Sequence, residues 1–459
     1  MKKHLFFWAS LLVAGLALTA CGGDDADDFS DKTTPVKPTG KQKWTVTVGA
    51  GVMTRGLNDD LTPNWSADDE VYVYYGRTMV GTLKPTAASN SGSVTLTGEL
   101  DEANYSTVSG HNTLNLRYKY GASGDFSETP NYDGQNGTIA DIATNYDYMN
   151  ATVTITAVDN TAKTLSTNTA NFQNLQSIMC LTFTETLMQD DVLSINGAAS
   201  DVTVTLQDQV EEGENVYVAV PFSNSLYSYD LSFTIKNSLD EEVYIAKEWT
   251  SKTLQNSKSY TATVNIEAVL MWEGGPFWAV KNLGAASKTD WGDFYAWGET
   301  VPHSTGYSFS WETYTLCDGT TWSDTKLKKF CNNSNYGTVD NLTQLTSDYD
   351  AATQQLGEPW RLPTYDELED LINECSGTFW DSSNYTLIVT SSDRKIILPT
   401  PGIVTAAFDD DSNFGYYWSS SLRAEDCRDA YLLEVYDDKA VIQYRNRYCG
   451  ISIRPVRDY

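Results

Sequence analysis

The chain has 459 residues, more than one ordinary hydrophobic core can serve and enough for two or three domains, of which two are expected. Lys and Arg number 31 against 61 Asp and Glu, and the formal net charge of −30 repels nucleic-acid phosphates and anionic lipid, so no nucleic-acid partner is expected. Gly, Ser, Thr, Asn and Tyr are plentiful and long helical patterns scarce, which points to β structure with many turns.

Residues 1–20 read as a secretory signal, with Lys2, Lys3 and His4 ahead of an apolar run, Leu5 to Leu18, too short for a comfortable membrane span. Its end, Leu18-Thr19-Ala20-Cys21-Gly22, resembles a bacterial lipobox, which implies cleavage before Cys21 and acylation of its thiol. At roughly 0.8 kcal/mol per buried methylene, several acyl chains would hold the protein on a membrane. Residues 21–42 then read as a lipidated flexible tether, because Asp24, Asp25, Asp27 and Asp28, followed by Pro35, Pro38 and Gly40, carry charge and breakers without apolar spacing. The acidic run also resembles the surface-export signals of some Gram-negative lipoproteins. The expected place is the outer membrane, lipid-anchored and facing outward.

From 43 to 268 the pattern has period two. Trp44–Val48, Val71–Tyr74, Val94–Thr97, Val153–Ile155, Val202–Val204, Val216–Val218 and Leu231–Ile235 alternate apolar with polar residues or Tyr, as strands that bury one face do. With turn signals such as Asp133-Gly134 and Asn136-Gly137 between them, they predict a β-sandwich of one or two lobes. Thr54-Arg55-Gly56, Trp65 with Asp69-Glu70-Val71-Tyr72-Val73, Gln135-Asn136-Gly137-Thr138, Tyr146-Asp147-Tyr148-Met149, Phe172-Gln173-Asn174-Leu175, Tyr217-Val218-Ala219-Val220-Pro221 and Lys258-Ser259-Tyr260 together resemble the fimbrillin-like family of type V pili. That resemblance implies pilin partners, and a trypsin-like cut after Arg55 that releases a strand and opens a groove for the next subunit by β-strand addition. An exposed arginine that is never cut is the alternative.

Residues 271–459 change texture to Trp, Gly, Asp and Cys in irregular loops, entered at Met271-Trp272-Glu273-Gly274-Gly275-Pro276. The stretch Trp360-Arg361-Leu362-Pro363-Thr364-Tyr365-Asp366-Glu367-Leu368 organises this part. Pro363 extends Leu362, Thr364 is a good N-cap and Glu367 completes a capping box, so a helix starts near Tyr365 with Leu368, Leu371 and Ile372 on its apolar stripe. Phe277–Val280 and Ile451–Val456 read as strands that pair and close the segment on itself. Trp278-Ala279-Val280-Lys281-Asn282-Leu283-Gly284, Gly292-Asp293-Phe294-Tyr295-Ala296-Trp297-Gly298, Asp350-Ala351-Ala352, Trp360-Arg361-Leu362-Pro363-Thr364, Leu398-Pro399, Gly415-Tyr416-Tyr417-Trp418-Ser419-Ser420 and Ile453-Arg454-Pro455-Val456, in that order, resemble the Fibrobacter succinogenes major paralogous domain. The resemblance implies an α+β fold like that of C-type lectins and formylglycine-generating enzymes, with the four framework tryptophans Trp278, Trp297, Trp360 and Trp418 in the core.

Chemistry is sparse. The mature chain has only His111 and His303, in different domains, which leaves little for a hydrolytic triad or a zinc site. In Glu358-Pro359-Trp360 a tryptophan stands where the lectin calcium triplet needs an amide, so that calcium site does not carry over. Asp409, Asp410 and Asp411 could hold calcium but read as an exposed acidic turn, and no cofactor is expected. Of five cysteines in this part, Cys427 with Cys449 and Cys317 with Cys331 are the preferred disulfides, while Cys180 reads as a buried thiol. Trp291, Trp311, Tyr314, Trp322 and Tyr336 lie in polar, turn-rich stretches and are the candidate ligand contacts, with core packing as the competing reading. The expected function is contact rather than catalysis: a pilus tip, accessory or adhesin-type lipoprotein that binds a glycan or a protein. A surface glycan-binding lipoprotein for nutrient capture, and an enzyme on the formylglycine-generating fold, are the alternatives.

Overall fold

The computed structural model describes residues 42–51, 64–90, 92–304, 306–375, 377–391, 394–405 and 413–458. Cys21, Arg55 and the Asp409–Asp411 turn lie outside the described residues, as do the signal and all but the last residue of the tether. The described chain is mainly β, and each of the seven predicted strands lies within an observed one.

The first lobe is an eight-stranded sheet that closes on itself. Around it run seven strands, Thr113–Tyr118, Val71–Tyr75, Thr78–Pro85, Val94–Leu100, Trp44–Ala50, Thr164–Thr167 and Met149–Asp159, the last of which pairs back with the first and also carries the eighth, Gln173–Asn174. Strict alternation explains the closure: Trp44, Val46, Val48 and Ala50 point inward and the residues between them outward. Trp65, Tyr118 and Phe172 meet edge to face inside, with ring centroids 5.7–5.8 Å apart.

The second lobe faces a three-stranded sheet (Val216–Val220, Ser177–Phe183, Ser259–Val264) against part of a nine-stranded one. Two of the fimbrillin-like phrases are joined here. The Gln135 side chain is fully buried and bonds Ala219 on both sides, accepting from its N–H at 2.8 Å and donating to its carbonyl at 2.9 Å. Gly137 holds a φ of +83°, left-handed backbone that favours glycine, and an added Cβ would lie 3.2 Å from Val216, a tight contact.

The nine-stranded sheet does not stop at the boundary expected near residue 270. Ile266–Leu270 pairs with Glu242–Ala246 on one edge and Phe277–Ala279 on the other; the sheet continues through Val456–Arg457 to Trp360–Arg361. The Trp272–Pro276 stretch is therefore a hairpin between paired strands. A single apolar cluster follows the sheet across, from Leu193 and Val218 to Trp278, Leu371 and Val456. The two ends of the last part meet as expected, with Trp278 opposite Val456.

The predicted helix is Tyr365–Glu374, and its capping box is complete: Glu367 N–H donates to Thr364 Oγ1 at 3.1 Å, and Glu367 Oε2 accepts from Thr364 N–H at 2.8 Å. Leu368 and Leu371 are buried. The same Glu367 forms a two-point ion pair with Arg361, so strand and helix start lock together. Asp350 adds a second lock, capping Ala351–Leu356 through Thr353 N–H and taking the Leu362 N–H at 2.8 Å. Arg454, fully buried, binds Asn282 Oδ1 and the carbonyls of Ala279 and Ile397; burial pulls its guanidinium down to about 10. Trp278, Trp297 and Trp418 are wholly buried, whereas Trp360 is half-buried beside the sheet end.

Candidate ligand-contact surface

The loops between Ala279 and Ser347 wrap a second apolar cluster, containing Trp297, Tyr314, Phe330, Trp418 and Ile451. Arg447 is the tie that shapes them. It is fully buried, lies 4.7 Å over the Trp297 ring, and donates to Tyr314 Oη at 2.9 Å, Lys329 O at 3.2 Å, Phe330 O at 3.1 Å and Cys427 O at 3.1 Å. Loop carbonyls that no strand satisfies are thereby paired. Asp340 performs the complementary task for amides: burial acts to raise its pKa, but the N–H groups of Phe330, Cys331 and Leu342 outweigh it and hold the carboxyl below its ordinary value.

The five candidate aromatics separate. Trp311 and Tyr314 are buried, a correction to the contact reading: Tyr314 Oη donates to Trp297 O at 2.7 Å, its phenol pKa pushed up by burial, and Trp311 packs on Tyr314 and Tyr448. Trp291 is half-buried. Its backbone carbonyl accepts from Asn282 and Ser452. Trp322 and Tyr336 do come together, one on each side of Arg428, whose guanidinium carbon lies 3.5 Å and 3.8 Å from their ring centroids. Arg428 is held flat by a two-point ion pair with Asp426 and by donating to Trp322 O at 3.1 Å. Trp322 remains 42% exposed, enough to offer a face to solvent.

A recess of about 350 Å³ opens nearby in sequence, lined by Glu299, Thr300, His303, Tyr307, Thr315 and Tyr349 among others. Sequence reasoning placed none of its contacts here. His303 stacks on Tyr307 at 3.7 Å, and Phe309 meets both rings edge-on. Glu299 is only 8% exposed; its Oε1 accepts from Thr315 N–H at 2.6 Å and Thr315 Oγ1 at 2.7 Å, while Oε2 takes no hydrogen bond from the described residues. Ring faces beside a fixed carboxylate can receive the C–H face and a hydroxyl of one sugar ring. A larger groove, about 820 Å³, runs along the shared sheet past Lys247, Glu267, Lys281 and Lys288, but among the described residues its only ring is Trp360.

No family model and no curated protein matches the chain. Solved structures do. The chain is similar to the tip fimbrial protein Mfa3 from Porphyromonas gingivalis, with 9% identity, 48% of this chain and 94% of that one covered, and a TM-score of 0.24. The fimbrial anchor protein Mfa2 from the same organism matches at 9% identity over 46% of this chain and 82% of that one, with a TM-score of 0.24. A fimbrial protein from Bacteroides ovatus covers 92% of this chain and 100% of its own length at 10% identity, with a TM-score of 0.21.

Of the expected disulfide partners, the thiol brought to Cys331 is that of Cys427, at 3.3 Å, not that of Cys317, and all six described cysteines are free in this structure. Cys317 instead accepts the N–H groups of Gly319 and Lys326, both at 3.3 Å, which fixes its own turn. Cys449 is buried, with its thiol pushed up to about 12 by that burial. Cys180 is half-buried in the strand Ser177–Phe183.

Proposed function

We propose that the protein is a surface-exposed lipoprotein, acylated at Cys21, which serves as a tip, accessory or adhesin-type component of a pilus and binds a glycan through its C-terminal part. The observation that carries the binding reading is the recess in which Tyr307, His303 and Tyr349 stand beside the buried Glu299 carboxylate. Sugars present both apolar faces and hydroxyls, which a ring face and a fixed acceptor in a small recess can receive together. The exposed Trp322 face is a second contact on the same run of loops. Resemblance to the lectin-like fold supports the reading.

The pilus side of the proposal draws on the fimbrillin-like phrases and on the strand Trp44–Ala50. That strand pairs antiparallel with Val94–Leu100 over its whole length but parallel with Thr164–Thr167 over three residues only. A cut after Arg55 would leave it joined to the tether and detached from the remainder of the lobe, and its inward Trp44, Val46 and Val48 define the apolar groove an incoming strand would fill.

The test is glycan-array binding by the full mature chain, with Glu299→Gln and Tyr349→Ala variants beside it. A glycan bound by the wild type should be lost at least tenfold in each variant while thermal stability is retained. Equal binding by all three proteins would refute the recess as the site. Co-purification with a polymerised pilin tests the other half separately.

A further inference from the structure

Cys331 and Cys427 sit in the described fold as a prepared pair. Both side chains are wholly buried, their sulfurs lie 3.3 Å apart, and the backbone on either side of each is tied down independently of them. Asp340 receives the N–H groups of Phe330 and Cys331. Arg447 bridges the two cysteine segments by donating to both Phe330 O and Cys427 O, and Asn332 reaches Ala424 O at 2.7 Å. Closing the gap to a bond of roughly 2.05 Å takes about 1.3 Å of sulfur movement, within reach of side-chain rotation.

We propose that Cys331 and Cys427 are joined by a disulfide in the working protein, and that this bond is the covalent clamp of the contact surface. Cys427 precedes Arg428, and Cys331 stands between Trp322 and Tyr336 in the loop that supplies both rings to it. One bond therefore fixes the guanidinium and the loop that encloses it. The oxidant is an organic or protein disulfide. The two cysteine S–H bonds and the oxidant's S–S bond break; one Cys331–Cys427 bond and two oxidant S–H bonds form. The pair gives up two electrons and two protons. Burial pushes the Cys427 thiol up to about 11, which disfavours the thiolate that exchange requires once the loops are closed.

The experiment uses the exported full chain, alkylated in denaturant before and after reduction and mapped by mass spectrometry. A linked peptide pair containing Cys331 and Cys427 is expected, absent after reduction. Both residues fully alkylated without reduction, even after refolding in oxidised glutathione, would overturn the proposal, as would a bond from either one to Cys317 or Cys449. A second readout is hydrogen exchange over residues 318–341 in the native oxidised protein and in the Cys331→Ala/Cys427→Ala variant. At least tenfold faster exchange in the variant is expected, and unchanged exchange would refute the clamp while leaving the bond to be decided by the mapping. Glycan binding is scored separately, so failure of the recess and failure of the bond are distinct results.

Discussion

Replacing Arg447 by methionine is the sharpest probe of how the contact loops are held. Methionine keeps much of the aliphatic stem beside Trp297 but donates nothing, so Tyr314 Oη and the carbonyls of Lys329, Phe330 and Cys427 lose their donor together. Tyr314, Phe330 and Cys427 are buried in this cluster, where water cannot replace the guanidinium without opening it, whereas the Lys329 carbonyl is part-buried. At about 1 kcal/mol for each of the orphaned acceptors, and more for those left wholly dry, the loss comes to about 4 kcal/mol, moderated by no longer burying a charge. With a urea slope of roughly 2 kcal/mol/M, that is a midpoint about 2 M lower for the unfolding of this part. Hydrogen exchange by mass spectrometry localises the effect: peptides spanning 327–331 and 425–430 should lose protection first, ahead of the first lobe. Arg447→Lys keeps the charge with fewer donors and should fall between the two. A midpoint change below about 0.5 M for the methionine variant, with unchanged exchange in those peptides, would show that the carbonyls find other partners and that Arg447 is not the tie.

Thr364→Ala removes the cap of Tyr365–Glu374 and should cost about 1 kcal/mol, read as a lower melting temperature with the helix still present; no change would mean that the Arg361–Glu367 pair alone sets the helix start. Lys288→Ala leaves Glu185, whose side chain is 7% exposed, buried without its partner and should cost about 3–5 kcal/mol at neutral pH. Burial already raises the Glu185 pKa in the folded protein, so the penalty grows as pH rises through that raised value and shrinks below the unfolded one, and a pH-independent loss would refute the charge argument. Asp340 behaves oppositely. Its folded pKa lies below the unfolded value, so its support of the Phe330–Leu342 loop is present above about pH 4 and fades as pH falls through the depressed value; Asp340→Asn should abolish that acid dependence in hydrogen exchange.

Local rules were readable wherever the deciding partners are close in sequence. Thr364 and Glu367 are three residues apart, and the alternation of Trp44–Val48 is visible without knowing what it packs on. Pairing of the two ends of the last part was readable too, because both are short apolar runs in a stretch otherwise made of loops. What could not be read depends on how long loops cross. Cys331 and Cys427 are 96 residues apart, and nothing in their neighbours distinguishes that pairing from Cys317 with Cys331. Trp311 and Trp322 occupy equally polar stretches, yet one is buried against Tyr448 and the other half of an arginine sandwich. The recess escaped notice for the same reason: Glu299, His303, Tyr307 and Tyr349 look like ordinary loop residues until Thr315 and the His303 stack arrange them.

The pairing of Ile266–Leu270 on both edges settles how the contact loops relate to the scaffold. A change of composition near residue 271 looks like a domain boundary because the texture of the sequence changes there, but composition reports what the residues pack against and not whether the chain is free to bend. Here the sheet runs straight through the change, and Phe277 and Trp278, both wholly buried, have Leu270 and Val269 as their ladder partners. Cutting the chain at 271 would remove those partners and leave the inner strand of the last part as a raw apolar edge, the kind that aggregates. The contact loops are therefore carried by the second lobe as an extension of its own sheet. A load applied to these loops reaches that lobe through a hydrogen-bonded ladder and a shared apolar core. That continuity keeps the recess and the Trp322 face in one orientation relative to the second lobe.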